Sequence, residues 1–440
     1  MIGKISLKLA NELNSKFTEK YQKIIYGLAN NIASRNIDGH EFLDFLDLAN
    51  PKNLEVKEIS DLSFKWKTEV NVLLVISAYS LSLHSKSVID YIGNNHFINH
   101  RNLSKNKKNM EIIYLDHILN SKELKNLENY LDDKPFAIHV ISKSGNDIDV
   151  LANFQFFSEI MERKLGLKNS SQYICITTNP NTGNLNKIAY YKQYKIFTFL
   201  DKIPEVYSIF TSVGLLPMAC AGIDISRILS GAAKAKMDFS STNLSQNIAY
   251  QYAFARLYLK NMGLDHEIFV NFDNDLATFS KYWQYLFSQT NSKENKSLYL
   301  DIANFSKEIS TRSQFFQQGY KKTQQIDSLF LTILSTQRLF DEKHIGNYER
   351  NKPYFELPST TPNQLLLYSQ NAYNDLFQKV GHYQNIQITL EDNSEDTIGQ
   401  LIVFLQNSSL MSAYLLGVNP FDGRSYDIYN RFLKDILEKI

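Results

Sequence analysis

Short runs rich in apolar and β-branched residues alternate along this chain with stretches of helical spacing, and that alternation restricts the fold more than any other feature. Val70–Ser77, Glu111–Asp116, Pro135–Ser142, Tyr173–Thr178 and Lys195–Asp201 form one series, with helical stretches near 85–93, 121–131, 147–167 and 180–191. A second series runs through His266–Phe272, Ser297–Ile302, Ser328–Ser335 and Asn385–Glu391. Strands that alternate with helices predict βαβ units and parallel sheets covered on both faces. Between the series, Tyr207–Ile223 is a long apolar segment containing Gly214 and Gly222, followed by helical residues to about 262. Residues 6–35 carry apolar positions at helical spacing and predict an amphipathic helical lead-in. Residues 424–439 predict a C-terminal amphipathic helix. The expected class is α/β, with two sheets in one chain.

Composition narrows the function classes. The 440 residues allow two or three domains of roughly 150 residues. A formal net charge of +1 implies neither a nucleic acid nor an anionic membrane as partner. Cys175 and Cys220 both lie in apolar surroundings and suit small core positions in a reduced cytosol; two isolated cysteines make neither a disulfide framework nor a zinc site. The first residues, Met1–Ile5, lack the apolar core of a signal peptide, and no uncharged apolar stretch reaches about 18 residues. A cytoplasmic protein with no cofactor and no metal is expected.

Val140-Ile141-Ser142-Lys143-Ser144-Gly145 leaves a strand and enters a helix. Such a turn offers unpaired N–H groups, the positive end of a helix dipole, two hydroxyls and a lysine, which is the chemistry of an anion site. Taken alone, an ordinary capped turn fits almost as well.

Its neighbours make it specific. Gly39-His40-Glu41-Phe42-Leu43-Asp44-Phe45-Leu46-Asp47-Leu48, Thr211-Ser212-Val213-Gly214-Leu215-Leu216-Pro217 with Ala221-Gly222-Ile223-Asp224, Ala303-Asn304-Phe305-Ser306 and Gly417-Val418-Asn419-Pro420-Phe421-Asp422 follow in order. From about residue 39 onward the chain resembles the glucose-6-phosphate isomerase family, bacterial short type. The resemblance implies two sugar-isomerase (SIS) type doubly wound parallel-sheet domains: a smaller one at 61–205 and a larger at 206–440 that ends in the C-terminal helix, behind a helical segment 1–60. It also implies a homodimer, and makes Ser142, Lys143, Ser144, Gly145 and Asp147 the phosphate loop.

The family interconverts glucose 6-phosphate and fructose 6-phosphate through ring opening and a cis-enediol(ate). That needs a carboxylate base, an acid–base group for ring opening, cations and a phosphate cradle. By the resemblance, the base position after Leu286-Phe287-Ser288 holds Gln289, and the ring-opening histidine position, twenty-one residues on, holds Ser310. Asn430 stands at the lysine position, with Arg431 beside it but about 100° away on a helix. Val206 stands at the arginine position. The family's Gly-x-Gly-Gly-Ser-x-x-Gly loop reads Ser77-Ala78-Tyr79-Ser80-Leu81-Ser82-Leu83-His84, so side chains replace bare backbone and Leu81 replaces a hydroxyl. Asn146 and Asp147 replace threonines, and a carboxylate repels a phosphate dianion.

Candidate substitutes are few. His84 reads as a solvated loop residue or a cleft residue, and Tyr79 as a filler of the sugar space. Asp147 and Asp149 are carboxylates at the loop, with Asp149 in place of a family glutamate, and His382 follows Gly381. Two function classes follow: a structural or partner-binding pseudoenzyme with an unidentified protein partner and sugar phosphate bound weakly or not at all, or glucose-6-phosphate isomerase with weak or altered activity.

Overall fold

The computed structural model describes residues 3–9, 19–92, 109–316, 328–338, 361–379, 383–423 and 431–436. The strands are β1 (Ile5–Leu9), β2 (Val72–Ser77), β3 (Glu111–Leu115), β4 (Phe136–Ile141), β5 (Ile174–Thr178), β6 (Lys195–Thr198), β7 (His266–Asn271), β8 (Tyr299–Asn304), β9 (Leu329–Arg338) and β10 (Asn385–Asp392). They form two sheets, ordered β3-β2-β4-β5-β6 and β1-β10-β9-β7-β8. All pairings are parallel except β1 with β10. Every strand run expected from the sequence is present, with ends shifted by a few residues.

The chain divides into two compact units: Asn31–Ala233 with Asn419–Ile440, and Met1–Asn30 with Lys234–Val418. Divisions at 60/61 and 205/206, expected from the sequence, are not where these units part. The helix Ser212–Cys220 packs on the helices Leu54–Glu69 and Tyr79–Ile92, so this apolar segment stays with the first sheet. The N-terminus also departs from expectation. Residues 6–9, read as the start of a helical lead-in, belong to the strand Ile5–Leu9; its apolar residues alternate with Ser6 and Lys8, and Ile5 and Leu9 are buried. Period 2 prevails over period 3.6 because β10 supplies a partner edge far along the chain. The helix of this region runs Glu19–Ala33. At the other end, residues 431–436 are helical, and the remainder of 424–439 lies outside the described residues.

In the first unit β2, β4 and β5 are buried along their whole lengths, as a sheet covered on both faces requires. One face packs Leu74, Ile76, Ile138 and Val140 against Phe154, Phe157 and Met161 of the helix Ile148–Leu165. β2 has β3 on one side and β4 on the other. The sheet's topological switch point therefore lies between β2 and β4, where ligands of doubly wound sheets bind beyond the carboxyl ends. Ser77 pairs with Ile141, so the segments beginning at Ala78 and Ser142 leave the sheet side by side.

The second unit is organised around a buried ion pair. Arg256 Nε donates to Glu267 Oε2 at 2.6 Å, and the two side chains are 1% and 0% exposed. Tyr252 and Thr332 hydroxyls donate to Glu267 Oε1, each at 2.7 Å, and Arg256 reaches Asn291 Oδ1 and Ser412 Oγ. This network ties the helix Ile248–Asn261 to β7, β9 and the helices Ala277–Asn291 and Glu395–Leu415. Removing one partner strands a buried charge. Arg256→Met is expected to lower the unfolding free energy by about 3–5 kcal/mol, read from the urea midpoint, while the double variant Arg256→Met/Glu267→Gln recovers part of that loss.

Candidate active site

The loop after β4 is a closed hydrogen-bond system. Ser142 is fully buried; its hydroxyl donates to Asp147 Oδ2 at 2.5 Å and accepts the Gly145 N–H at 2.9 Å. Ser144 Oγ donates to Asp147 Oδ1 at 3.3 Å and accepts the Asn146 N–H at 3.1 Å. Lys143 is turned to another turn of the chain. Its Nζ donates to the carbonyls of Asp201 and Ile203 at 3.1 and 2.8 Å and lies 5.5 Å from the Phe199 ring centre. Burial lowers its pKa, against the opposing pull of Glu205 and Asp201. Of the five residues expected to form a phosphate cradle, Ser142, Ser144, Gly145 and Asp147 are thus bonded to one another, and Lys143 is bound elsewhere in the chain.

Gly145 has a left-handed φ of 68°, where a Cβ would stand 3.0 Å from Thr178 Oγ1 and 3.3 Å from Gly183 Cα. Gly183, at φ 92°, would place a Cβ 2.3 Å from Ser144 O. Two backbone segments are therefore pressed together at glycines that cannot be replaced cheaply.

The segment after β2 is helical from Tyr79, and that corrects the expectation for His84. His84 is not a loop residue: it lies in the helix Tyr79–Ile92 and is completely buried. Its Nδ1 lies 3.1 Å from Leu81 O, and the backbone of Glu205 and Val206 lies close to its ring. Desolvation lowers its pKa to about 4, so it is neutral and enclosed at pH 7. Leu81 turns into the core at 1% exposure, while Tyr79 stands 45% exposed rather than packed into a filled sugar space. Ser82 Oγ donates to Asp116 Oδ2 at 2.8 Å. Val206 is buried in the turn Glu205–Phe210 and supplies no cation.

In the second unit, Gln289 is exposed near the end of the helix Ala277–Asn291, and Ser310 is exposed on the short helix Ile309–Gln314. A guanidinium two residues from Ser310 is already committed: Arg312 pairs with Asp301 and Glu308 and donates to Ile302 O at 2.7 Å. A cavity of about 140 Å³ lies at this sheet's own switch point, among Asp273, Ser335, Asn363 and Gln370, and contains none of the expected site positions. Arg431 is exposed; Asn430 and His382 lie outside the described residues.

A buried polar chain beneath the first switch point escaped the sequence reading. His139 Nε2 meets Thr177 Oγ1 at 2.8 Å, Thr177 Oγ1 donates to Ser212 Oγ at 3.1 Å, and Ser212 N–H donates to Glu55 Oε1 at 3.4 Å. Burial raises the Glu55 pKa and lowers that of His139 to about 3. The available signal was a histidine and a threonine inside otherwise apolar strand runs.

His84 and His139 set a pH dependence. Their ordinary pKa is 6.5, so below that value the unfolded chain binds protons that the folded chain refuses. Stability from this source is complete above neutrality and lost as pH falls. For His84 the loss reaches about 2 kcal/mol near pH 5. Urea midpoints measured from pH 7.5 to about pH 5 should fall steadily, and His84→Gln should flatten the slope.

The phosphoglucose isomerase family model matches residues 94–355. Glucose-6-phosphate isomerase of Mycoplasmopsis pulmonis (strain UAB CTIP) is 33% identical over 441 residues, covering 99% of each chain. The enzyme of Mycoplasmopsis synoviae (strain 53) is 31% identical over 443 residues, 99% of this chain and 98% of that one. Among solved structures, a hypothetical protein from Thermus thermophilus superposes with a TM-score of 0.84 at 20% identity, covering 98% of this chain and 100% of the other. A glucose-6-phosphate isomerase from Chlamydia trachomatis gives a TM-score of 0.75 at 14% identity, covering 99% and 88%. The solved structures speak to the fold, an α/β architecture of two predominantly parallel sheets. With a family model matched over more than half its length and relatives a third identical across nearly all of it, this chain belongs to the phosphoglucose isomerase family.

Proposed function

We propose that this member of the family has lost aldose–ketose isomerase activity and serves as a structural or partner-binding protein on an isomerase scaffold. Gln289 carries the reading. The reaction requires a group that removes a proton from a sugar carbon and returns it to the neighbouring one. A carboxylate can do so; a side-chain amide has no basic site near neutral pH. Neighbouring losses act in the same direction. Ser310 offers a hydroxyl that does not cycle protons as an imidazole does, Val206 offers no charge to a developing enediolate, and Lys143 and Arg312 are bound to groups of the chain itself. Removing one proton-transfer group costs about 10²–10⁴-fold in rate, and groups that act as a unit do not add.

Self-association belongs to the same reading. Among the described residues Tyr190, Tyr191 and Leu167 stand exposed in one unit and Met237 and Tyr299 in the other. A homodimer of the obligate type would cover apolar surface on the scale of roughly 2,000–5,000 Å². The cytoplasm is the proposed location, in keeping with two free buried cysteines whose thiols burial pushes up, Cys220 to about 12. No described helix is long and apolar enough to cross a membrane.

A second reading is a glucose-6-phosphate isomerase of weak or altered activity. It is favoured by the names of the full-length relatives.

A coupled assay on pure protein separates the two. The expected outcome is no conversion of fructose 6-phosphate above background, and none in Gln289→Glu, because Ser310 and Val206 remain. Turnover above background that disappears in Gln289→Ala would establish the second reading. Light scattering after size exclusion should return twice the chain mass; a stable monomer at micromolar concentration would contradict the dimer.

A further inference from the structure

We propose that Asp147 is an intramolecular stand-in for phosphate, a tethered carboxylate that occupies an anion cradle the chain still builds. The proposal rests on the family reading of the loop but stands apart from the loss of catalysis.

An aspartate just before a helix ordinarily accepts a backbone N–H from the first turn. Asp147 makes no such side-chain cap bond to the helix Ile148–Leu165. Its two oxygens instead face two hydroxyls, Ser142 Oγ at 2.5 Å and Ser144 Oγ at 3.3 Å, which lie 3.5 Å from each other. A serine has one proton to donate. Both protons point to Asp147, and each hydroxyl also accepts a backbone N–H, from Gly145 and from Asn146. The donors of an oxyanion cradle are therefore present, ordered and fully used.

The shape of the cradle does not depend on Asp147. The loop backbone is clamped from the other side, where Gly145 O accepts the Leu185 N–H at 3.0 Å and Asn146 Oδ1 accepts the Asn184 N–H at 3.0 Å. Gly145 and Gly183 lie in direct backbone contact. Ser142 N–H is fixed to Thr177 O at 3.1 Å. Without the carboxylate, the two hydroxyls and the start of a long helix remain in place for a free tetrahedral anion. With it, phosphate must displace a group tethered at millimolar or higher effective concentration and accept repulsion from a like charge.

Calorimetric titration with inorganic phosphate at neutral pH tests this. The wild-type chain should show no saturable binding at millimolar phosphate. Asp147→Asn, nearly isosteric, and Asp147→Thr should gain saturable binding at least about tenfold tighter. Asp149→Asn removes the same charge two residues further on and should behave as wild type. In the wild-type chain the Gly145 and Asn146 amide resonances should not move with phosphate, a readout that needs no variant. Saturable wild-type binding as tight as that of the variants overturns the proposal, as does a folded Asp147 variant that gains nothing. The isomerase assay run alongside keeps the claims separate. Phosphate binding gained without turnover supports both; turnover by the wild-type chain removes the proposed loss of activity and leaves the phosphate titration to decide the role of Asp147.

Discussion

A parallel sheet covered on both faces has no polar side, and this constraint governs the rest of the molecule. β2, β4 and β5 admit few changes, because any charge placed there would be buried without a partner. Only the segments beyond the carboxyl ends of the strands are free of that pressure. The switch point between β2 and β4 gathers two of them, the segments that follow Ser77 and Ile141. A scaffold of this kind persists whenever a folded shape is needed, whatever becomes of the chemistry at its rim.

The altered site is not a set of holes. Several polar groups of the candidate site are satisfied from within the chain. Asp147 takes the hydroxyl protons of Ser142 and Ser144, Lys143 is held by two carbonyls, and Arg312 pairs with Asp301. An apolar pocket simply emptied of ligand groups would leave donors and acceptors unpaired, at a cost of about 1–3 kcal/mol for each buried one. Internal pairing removes that cost and with it the readiness to receive a ligand. The proposed loss of activity is compatible with a stable fold for this reason.

Buried polar networks in both units do a different task. Arg256–Glu267 in one unit and His139–Thr177–Ser212 in the other join strands to helices at fixed registers. Their geometry is demanding, since each member has few ways of meeting its partners. Such networks fix which helix lies over which strand more than they add net stability.

Much of the fold was legible in sequence because burial on two faces writes itself as continuous apolar runs, and helices between them write themselves at period 3.6. The ordered motifs pointed to the family, and the resemblance places Gln289 and Ser310 where the proposed loss of proton-transfer groups would lie; an amide has no basic site near neutral pH. What the sequence left open turned on partners distant in the chain or on local geometry. Ile5–Leu9 is a strand because β10, nearly four hundred residues later, offers it an edge. His84 is a core residue because the turn Glu205–Phe210 closes over its helix. A carboxylate at 147 reads as repulsive to phosphate in any alignment. Only the folded loop decides that its oxygens face Ser142 and Ser144, because the direction of a side chain at a helix start is set by the backbone segments pressed against it.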